Sequence, residues 1–156
     1  MTTNLFTNIL PPKTTALIQM LQQHSSPFLK KFYLSGGTAL ALQLGHRESE
    51  DLDFFSEHTF NPQSLERELR TYGTLEQTEL AEGTLNTFLH AVKLQFLEYP
   101  YPVLEPLKDW HTLQLSSVID IACTKLQTIG TRGNKKDFID LYFIFELYSL
   151  TQLLRA

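Results

Sequence analysis

Apolar positions along this chain recur with two different periods, and the switches between them outline its elements. The start, up to Pro12, has no such pattern and is expected to be loosely ordered; Leu17, Ile18 and Leu21 then fall at helical spacing within Thr14 to Gln23. Pro27 to Lys31 reads as a short turn, Phe32 to Ser35 as a first strand, Thr38 to Leu44 as a helix ended by Gly45, and Leu52 to Ser56 as a second strand. Pro62 suits the first turn of a helix that lasts to about Tyr72, where Gly73 closes it. Thr74 to Ala81, Thr84 to Leu89 and Val92 to Glu98 read as three strands, with a hairpin turn at Glu82-Gly83 and a stop at Tyr99-Pro100-Tyr101-Pro102. Ser116 to Ile129 is a helix with Ser116 or Ser117 as its cap and Gly130 as its stop, and Asn134 opens a last helix reaching about Leu150. That last helix is apolar nearly all round, through Phe138, Leu141, Tyr142, Ile144, Phe145 and Tyr148, so the pattern predicts its burial. The element order predicts a mixed α+β (α/β) fold built on a mixed β-sheet flanked by helices.

Composition narrows the partners. At 156 residues and 42% hydrophobic, residues 1–156 are expected to form a single domain with a real core and no room for an added DNA-binding module. A net charge of −4 excludes a generally basic surface, so any nucleic-acid contact must be local, and Arg132, Lys135 and Lys136 are the densest basic cluster near the residues discussed next. Cys123 is the only cysteine; no disulfide framework is possible, and its place on an apolar helical pattern makes it a core thiol. No stretch reads as a signal peptide and no apolar run is long enough to span a bilayer, so a cytoplasmic protein with no membrane contact is expected.

Candidate chemistry concentrates between Phe32 and Ser56, where a strand empties into Gly36-Gly37 and, further on, Asp51 and Asp53 flank Leu52. Lacking Cβ atoms, the two glycines let the chain turn sharply with N–H groups aimed at an anion, and a helix starting at Thr38 adds its positive end. Two residues apart on a strand, Asp51 and Asp53 project from one face, and the run Leu52, Phe54, Phe55 demands burial around them. Paired anions beside an apolar layer repel each other unless a cation lies between, and Mg²⁺ or Mn²⁺ held by carboxylates, waters and substrate phosphates removes that conflict. Phosphate-facing backbone plus a carboxylate pair is what metal-dependent nucleotidyl transfer requires. Arg47 and Ser49 lead into the pair, either offering a cation and a hydroxyl to the same ligand or forming a solvated loop salt-bridged to Glu48 or Glu50.

The string Gly36-Gly37-Thr38-Ala39-Leu40 with Arg47-x-Ser49-x-Asp51-x-Asp53-Phe54 resembles the polymerase beta-like, minimal nucleotidyltransferase superfamily, and within it the AbiEii/AbiGii toxin family. Asp120 to Leu126, Arg132-Gly133 and Lys136-Asp137-Phe138-Ile139-Asp140-Leu141 are similar to that family's later motifs, so the resemblance covers 32–148. It implies a nucleotidyltransferase-type twisted sheet with the C-terminal helices packed near the site. It also implies transfer of NMP from an NTP to an acceptor hydroxyl, with RNA or tRNA as acceptor and a separately encoded antitoxin as partner. A member that binds nucleotide or a protein without chemistry, or that modifies a small molecule or a protein, is the alternative. By the same resemblance Asp51 and Asp53 hold Mg²⁺ or Mn²⁺; Gly36, Gly37, Thr38, Arg47 and Ser49 bind nucleotide; and Lys125, Asp137 and Asp140 join the two aspartates in catalysis.

Read without the resemblance, the last three residues keep two meanings. Asp137, three after Asn134, suits the positive end of a helix. Asp140 lies one turn deeper, where a buried carboxylate needs Lys125, Arg132 or Lys136 as a partner or else faces the nucleotide. Lys125 interrupts an apolar run and is either solvated or turned inward as a point charge for phosphate. The family's wider superfamily places a third carboxylate on a later strand, but Val92 to Glu98 offers Lys93 and Gln95 at the inner positions. His24, His46, His58, His90 and His111 show no metal-ligand spacing and are assigned no role.

Overall fold

The computed structural model describes residues 4–24, 27–131 and 133–156. Seven strands form one sheet in the order β3-β4-β5-β2-β1-β7-β6: β1 (Tyr33–Ser35), β2 (Leu52–Ser56), β3 (Leu75–Ala81), β4 (Thr84–Leu89), β5 (Val92–Glu98), β6 (Lys108–Trp110) and β7 (Leu113–Leu115). It is mixed: β2 runs parallel to β5 and β1 parallel to β7, while β1/β2, β3/β4, β4/β5 and β6/β7 are antiparallel. The helices are α1 (Pro12–Gln23), α2 (Gly36–Leu44), α3 (Pro62–Arg70), α4 (Val118–Ile129), α5 (Lys135–Phe145) and α6 (Leu150–Leu154).

Strand alternation gives β2 two unlike faces. Leu52 and Phe54 point into the core, where Phe54 stacks on Phe96 of β5 at 5.0 Å and Phe28 meets both rings edge-on. Each such fully buried ring contributes about 1.5–3 kcal/mol relative to exposure. Asp53 and Phe55 take the other face. Pairing sets Asp53 between Gln95 on β5 and Ser35 on β1, so the three lie in one row across the sheet.

Three expectations need correction. Residues 4–11 are packed, because the Phe6 N–H donates to the Leu42 carbonyl at 2.8 Å, the Ser49 N–H to the Ile9 carbonyl at 3.2 Å, and Ile9 and Leu10 are buried. A second hairpin, β6–β7, was not anticipated; three-residue strands are too short to show alternation, and β7 gains its place by pairing Leu115 with Leu34. The last helix is two, and α5 is not buried all round: its inner stripe is Asp137, Asp140, Leu141 and Ile144, while Phe138 (57% exposed) and Tyr142 (63%) face outward. Ser149 ends the run by capping α6 in a reciprocal box with Gln152.

Helix caps follow the sequence. Asn134 caps α5 at the Asp137 N–H, Asn61 caps α3 at Ser64, and of the two serines proposed for α4 it is Ser117 that accepts from the Asp120 N–H. Among the described residues no helix is long and apolar enough to cross a membrane.

Candidate active site

At the end of β1 the chain turns into α2 through Gly36, whose φ of +71° lies in the left-handed region that favours glycine. A Cβ here would also collide with Asp53 Oδ2. Glycine therefore lets the first turn of α2 lie directly against the β2 carboxylate. No side chain caps α2; the hydroxyl of Ser35 accepts from Ser116 at 2.8 Å instead, and the positive helix end stays open toward the cleft.

Gly37 makes room for a different neighbour. A Cβ there would overlap Arg47 Nη2 and sit 3.4 Å from Asp140 Oδ2. Thr38 is buried; its hydroxyl donates to the Asp51 carbonyl, so the 2.5 Å contact with Ser49 has the serine as donor. Thr38 thus pins the 49–51 segment onto α2 and fixes where β2 begins. Asp51 immediately precedes β2 and Asp53 is its second residue.

Beneath these residues lies a buried charge cluster. Asp140, fully buried, accepts from His46 Nε2 at 2.6 Å, Arg47 Nε at 2.8 Å and Nη2 at 3.0 Å, and pairs with Lys125 Nζ at 2.8 Å. Lys125, 5% exposed, also donates to Asp137 Oδ1 at 3.1 Å. Burial pushes the Asp140 pKa up, but the hydrogen bonds from His46, Arg47 and Lys125, with the Lys125 charge, outweigh it and hold the carboxyl well below the usual carboxylate range. Lys125 is thus turned inward, and its partner is both aspartates. Arg47 pairs with Asp140 instead of Glu48 or Glu50, although its Nη1 reaches the Glu48 carbonyl at 2.9 Å.

Above the cluster a polar cleft opens. It is lined by Gly37, Thr38, Arg47, Ser49, Asp51, Asp53, Lys125 and Asp137, all singled out from sequence, and by Glu50, Lys93, Gln95, Asn134 and Lys136. Gly36 and Asp140 support it, the one against Asp53 and the other under Arg47 and Lys125. Four cationic side chains thus face four carboxylates, Glu50, Asp51, Asp53 and Asp137. Gln95, paired with Asp53, stands in the adjacent strand position, and among the described residues no group of three acidic, histidine or cysteine ligands gathers for a metal ion. Two carboxylates are nonetheless the donor set on which Mg²⁺ is commonly held when waters and substrate phosphates complete its shell. Arg132, the third member of the basic cluster with Lys135 and Lys136, lies outside the described residues.

Sequence reasoning missed His46. Its ring packs on Phe143 at 5.2 Å and its Nδ1 has no hydrogen-bond partner among the described residues. Screening histidines for metal-ligand spacing could not find it; the signal was its position next to Arg47, facing the same carboxylate.

The family model described as "Nucleotidyl transferase AbiEii toxin, Type IV TA system" matches residues 19–156. The uncharacterized protein aq_aa25 of Aquifex aeolicus (strain VF5) is 40% identical over 117 residues, 72% of this chain and 57% of that protein, so the chain spans little more than half of that relative's length. The crystal structure of JHP933 from Helicobacter pylori has a TM-score of 0.59 at 19% identity, over 89% of this chain and 68% of that one. The Megavirus polyadenylate synthase has a TM-score of 0.57 at 14% identity, over 86% of this chain and 30% of that one. At those identities the two structures establish a shared fold alone, and the family match places the chain: it belongs to the AbiEii nucleotidyl transferase toxin family.

Proposed function

We propose that this chain transfers a nucleoside monophosphate from an NTP to an acceptor hydroxyl, as the toxin of a toxin–antitoxin pair. The observation that carries the reading is the convergence of an uncapped helix end, the Asp51/Asp53 pair and the Lys125/Arg47 cations on one cleft. Mg²⁺ or Mn²⁺ on Asp51 and Asp53 would supply charge neutralisation at the triphosphate. The open N-terminal turn of α2, at Gly37 and Thr38, receives phosphate oxygens. Arg47 and Lys125, held in place by Asp140, offset the charge that develops on the leaving pyrophosphate. In the reaction the acceptor oxygen bonds to the α-phosphorus, the bond from that phosphorus to the bridging oxygen breaks, pyrophosphate leaves and the hydroxyl proton departs.

Asp140 is a poor recipient for that proton, because three donors already stabilise its anion. Asp140 acts instead as a positioning residue, and Asp137 holds Lys125 from the other side. The amide oxygen of Gln95 orients the hydroxyl by accepting a hydrogen bond but cannot take the proton, which passes to water at the cleft mouth.

RNA or tRNA is the proposed acceptor. Lys135 and Lys136 are exposed at the start of α5, Lys136 on the cleft itself, and give an acidic chain a local anion-binding edge. The antitoxin partner follows from the family's description as a type IV system.

The deciding assay incubates the protein with each labelled NTP, Mg²⁺ and total cellular RNA. Label should enter RNA with wild type and disappear with Asp51→Ala or Asp53→Ala, while a cooperative melt of each variant shows that the fold survives. Undiminished transfer by either variant overturns the assignment; nucleotide binding without transfer by wild type leaves a binding module in its place.

A further inference from the structure

A second cleft lies on the same face of the sheet as Asp53, and the proposed function gives it no part. Its floor is one row further along the strands: Tyr33 is paired with Phe55, as Ser35 is with Asp53. Two residues of strand separate the rows, about 7 Å. The Tyr33 and Phe55 rings meet at 6.0 Å, Tyr99 lies 5.2 Å from Phe55 with its plane tilted by 35°, and Tyr101 continues the series at 5.0 Å. The opposite wall is α4, whose Asp120, Thr124 and Gln127 face the rings. The Tyr99 hydroxyl donates to Gln127 Oε1 at 3.1 Å and accepts from Thr124 at 3.4 Å, and Asp120 fixes the far loop by accepting from the Leu104 and Glu105 N–H groups.

We propose that this aromatic cleft is a nucleobase subsite of the transfer site; the inference rests on the nucleotidyl-transfer reading and extends it. Three observations converge. The cleft holds about 160 Å³, close to the roughly 150 Å³ that accommodates a benzene-sized ring, so a ring of base size fits it. Ser35 lines it and is the strand neighbour of Asp53, so the two clefts adjoin and a ligand whose phosphate sits at the polar cleft can reach this one with its base. Its chemistry is that of base recognition: ring faces for stacking, with amide, hydroxyl and carboxylate groups at the rim to read ring edges. Tyr101, 57% exposed, stands at the mouth, free to cover an inserted ring.

Two sources share that chemistry, the base of the donor NTP and the terminal base of the RNA acceptor. The test measures binding of ATP, CTP, GTP, UTP and tripolyphosphate with Mg²⁺, and transfer to a short oligoribonucleotide, for wild type, Tyr101→Ala, Gln127→Ala and Tyr99→Leu. If the donor's base enters, Tyr101→Ala and Tyr99→Leu weaken the preferred NTP by roughly 5- to 100-fold and leave tripolyphosphate within twofold. If the acceptor's base enters, NTP binding holds and KM for the oligonucleotide rises by that factor. Gln127→Ala should narrow the preference among bases in either case. Wild-type NTP binding and transfer kinetics in all three variants overturn the subsite while Asp53→Ala, still inactive, keeps the function reading intact. Wild type that binds neither NTP nor tripolyphosphate overturns both. Should Tyr99→Leu fail to fold, the exposed Tyr101→Ala decides alone.

Discussion

Replacing Asp140 by leucine removes the one anion that Arg47, Lys125 and His46 share, and the structure sets how much this costs. Breaking a buried pair by deleting one partner destabilises by about 3–5 kcal/mol, because the surviving charge is left in a poor dielectric. For a chain of this size that is a fall in melting temperature of roughly 6–20 °C. Lys125→Met is expected to cost less, about 1.5–3 kcal/mol, since Asp140 keeps the two bonds from Arg47 and the one from His46. If Lys125 and Asp140 formed a private pair, the double change Lys125→Met/Asp140→Leu would restore wild-type stability. In this cluster it should not: Arg47 still lacks its carboxylate and Asp137 has lost Lys125. Thermal and urea melts of both singles and the double, with metal and NTP absent, measure this. A double variant within about 1 kcal/mol of wild type would refute the cluster argument. Asp140→Asn adds a pH test. A carboxyl whose folded pKa is depressed contributes stability that is fully present above its unfolded value and is lost as pH falls toward the folded one. The part of the stability gap between wild type and Asp140→Asn that comes from the Asp140 charge should therefore shrink as pH falls below about 4.

Gly36→Ala should lower stability by about 1–2 kcal/mol from its φ of +71°, and should cut transfer more than the fold loss explains, since the new methyl displaces Asp53; a melt alongside a transfer assay separates the two. Ala91→Gly should do the reverse for the β4–β5 hairpin, where His90 and Ala91 both hold positive φ of 49° and 63° in a two-residue turn. A gain near 1 kcal/mol, or about 2–4 °C, is expected, and an unchanged or lower melting temperature would mean that the turn carries no strain.

The strands from Leu75 to Glu98 were legible to within one residue, because each carries its own alternation and is joined by a short turn. The cleft was legible for a related reason: Gly36, Gly37, Thr38, Asp51 and Asp53 belong to one local strand–turn–helix–strand unit, and their chemistry follows from their types. The cluster beneath was legible only in part: a buried Asp140 called for a cation and Lys125 is one of those named for it, but Asp140 meets His46 from 94 positions away and sequence spacing carries no trace of that contact. The outer face of α5 was misjudged for a different reason. Apolar residues stand nearly all round this helix, so the pattern could not separate an inner stripe from an outer one, and Phe138 and Tyr142 were read as buried with the rest.

The cluster also orders events in time. A nascent chain that has reached Ser56 already carries both strand carboxylates and the glycine turn, yet Arg47 has no buried anion to hold it and the inward lysine has not been made. Those arrive only with α4 and α5, in the last quarter of the chain, after the sheet has been laid down at ordinary synthesis rates of about 5–20 residues per second. The cleft therefore has neither an anchored Arg47 nor an inward Lys125 until α4 and α5 dock, so a polypeptide that stops short of Asp140 lacks the buried anion that holds both cations.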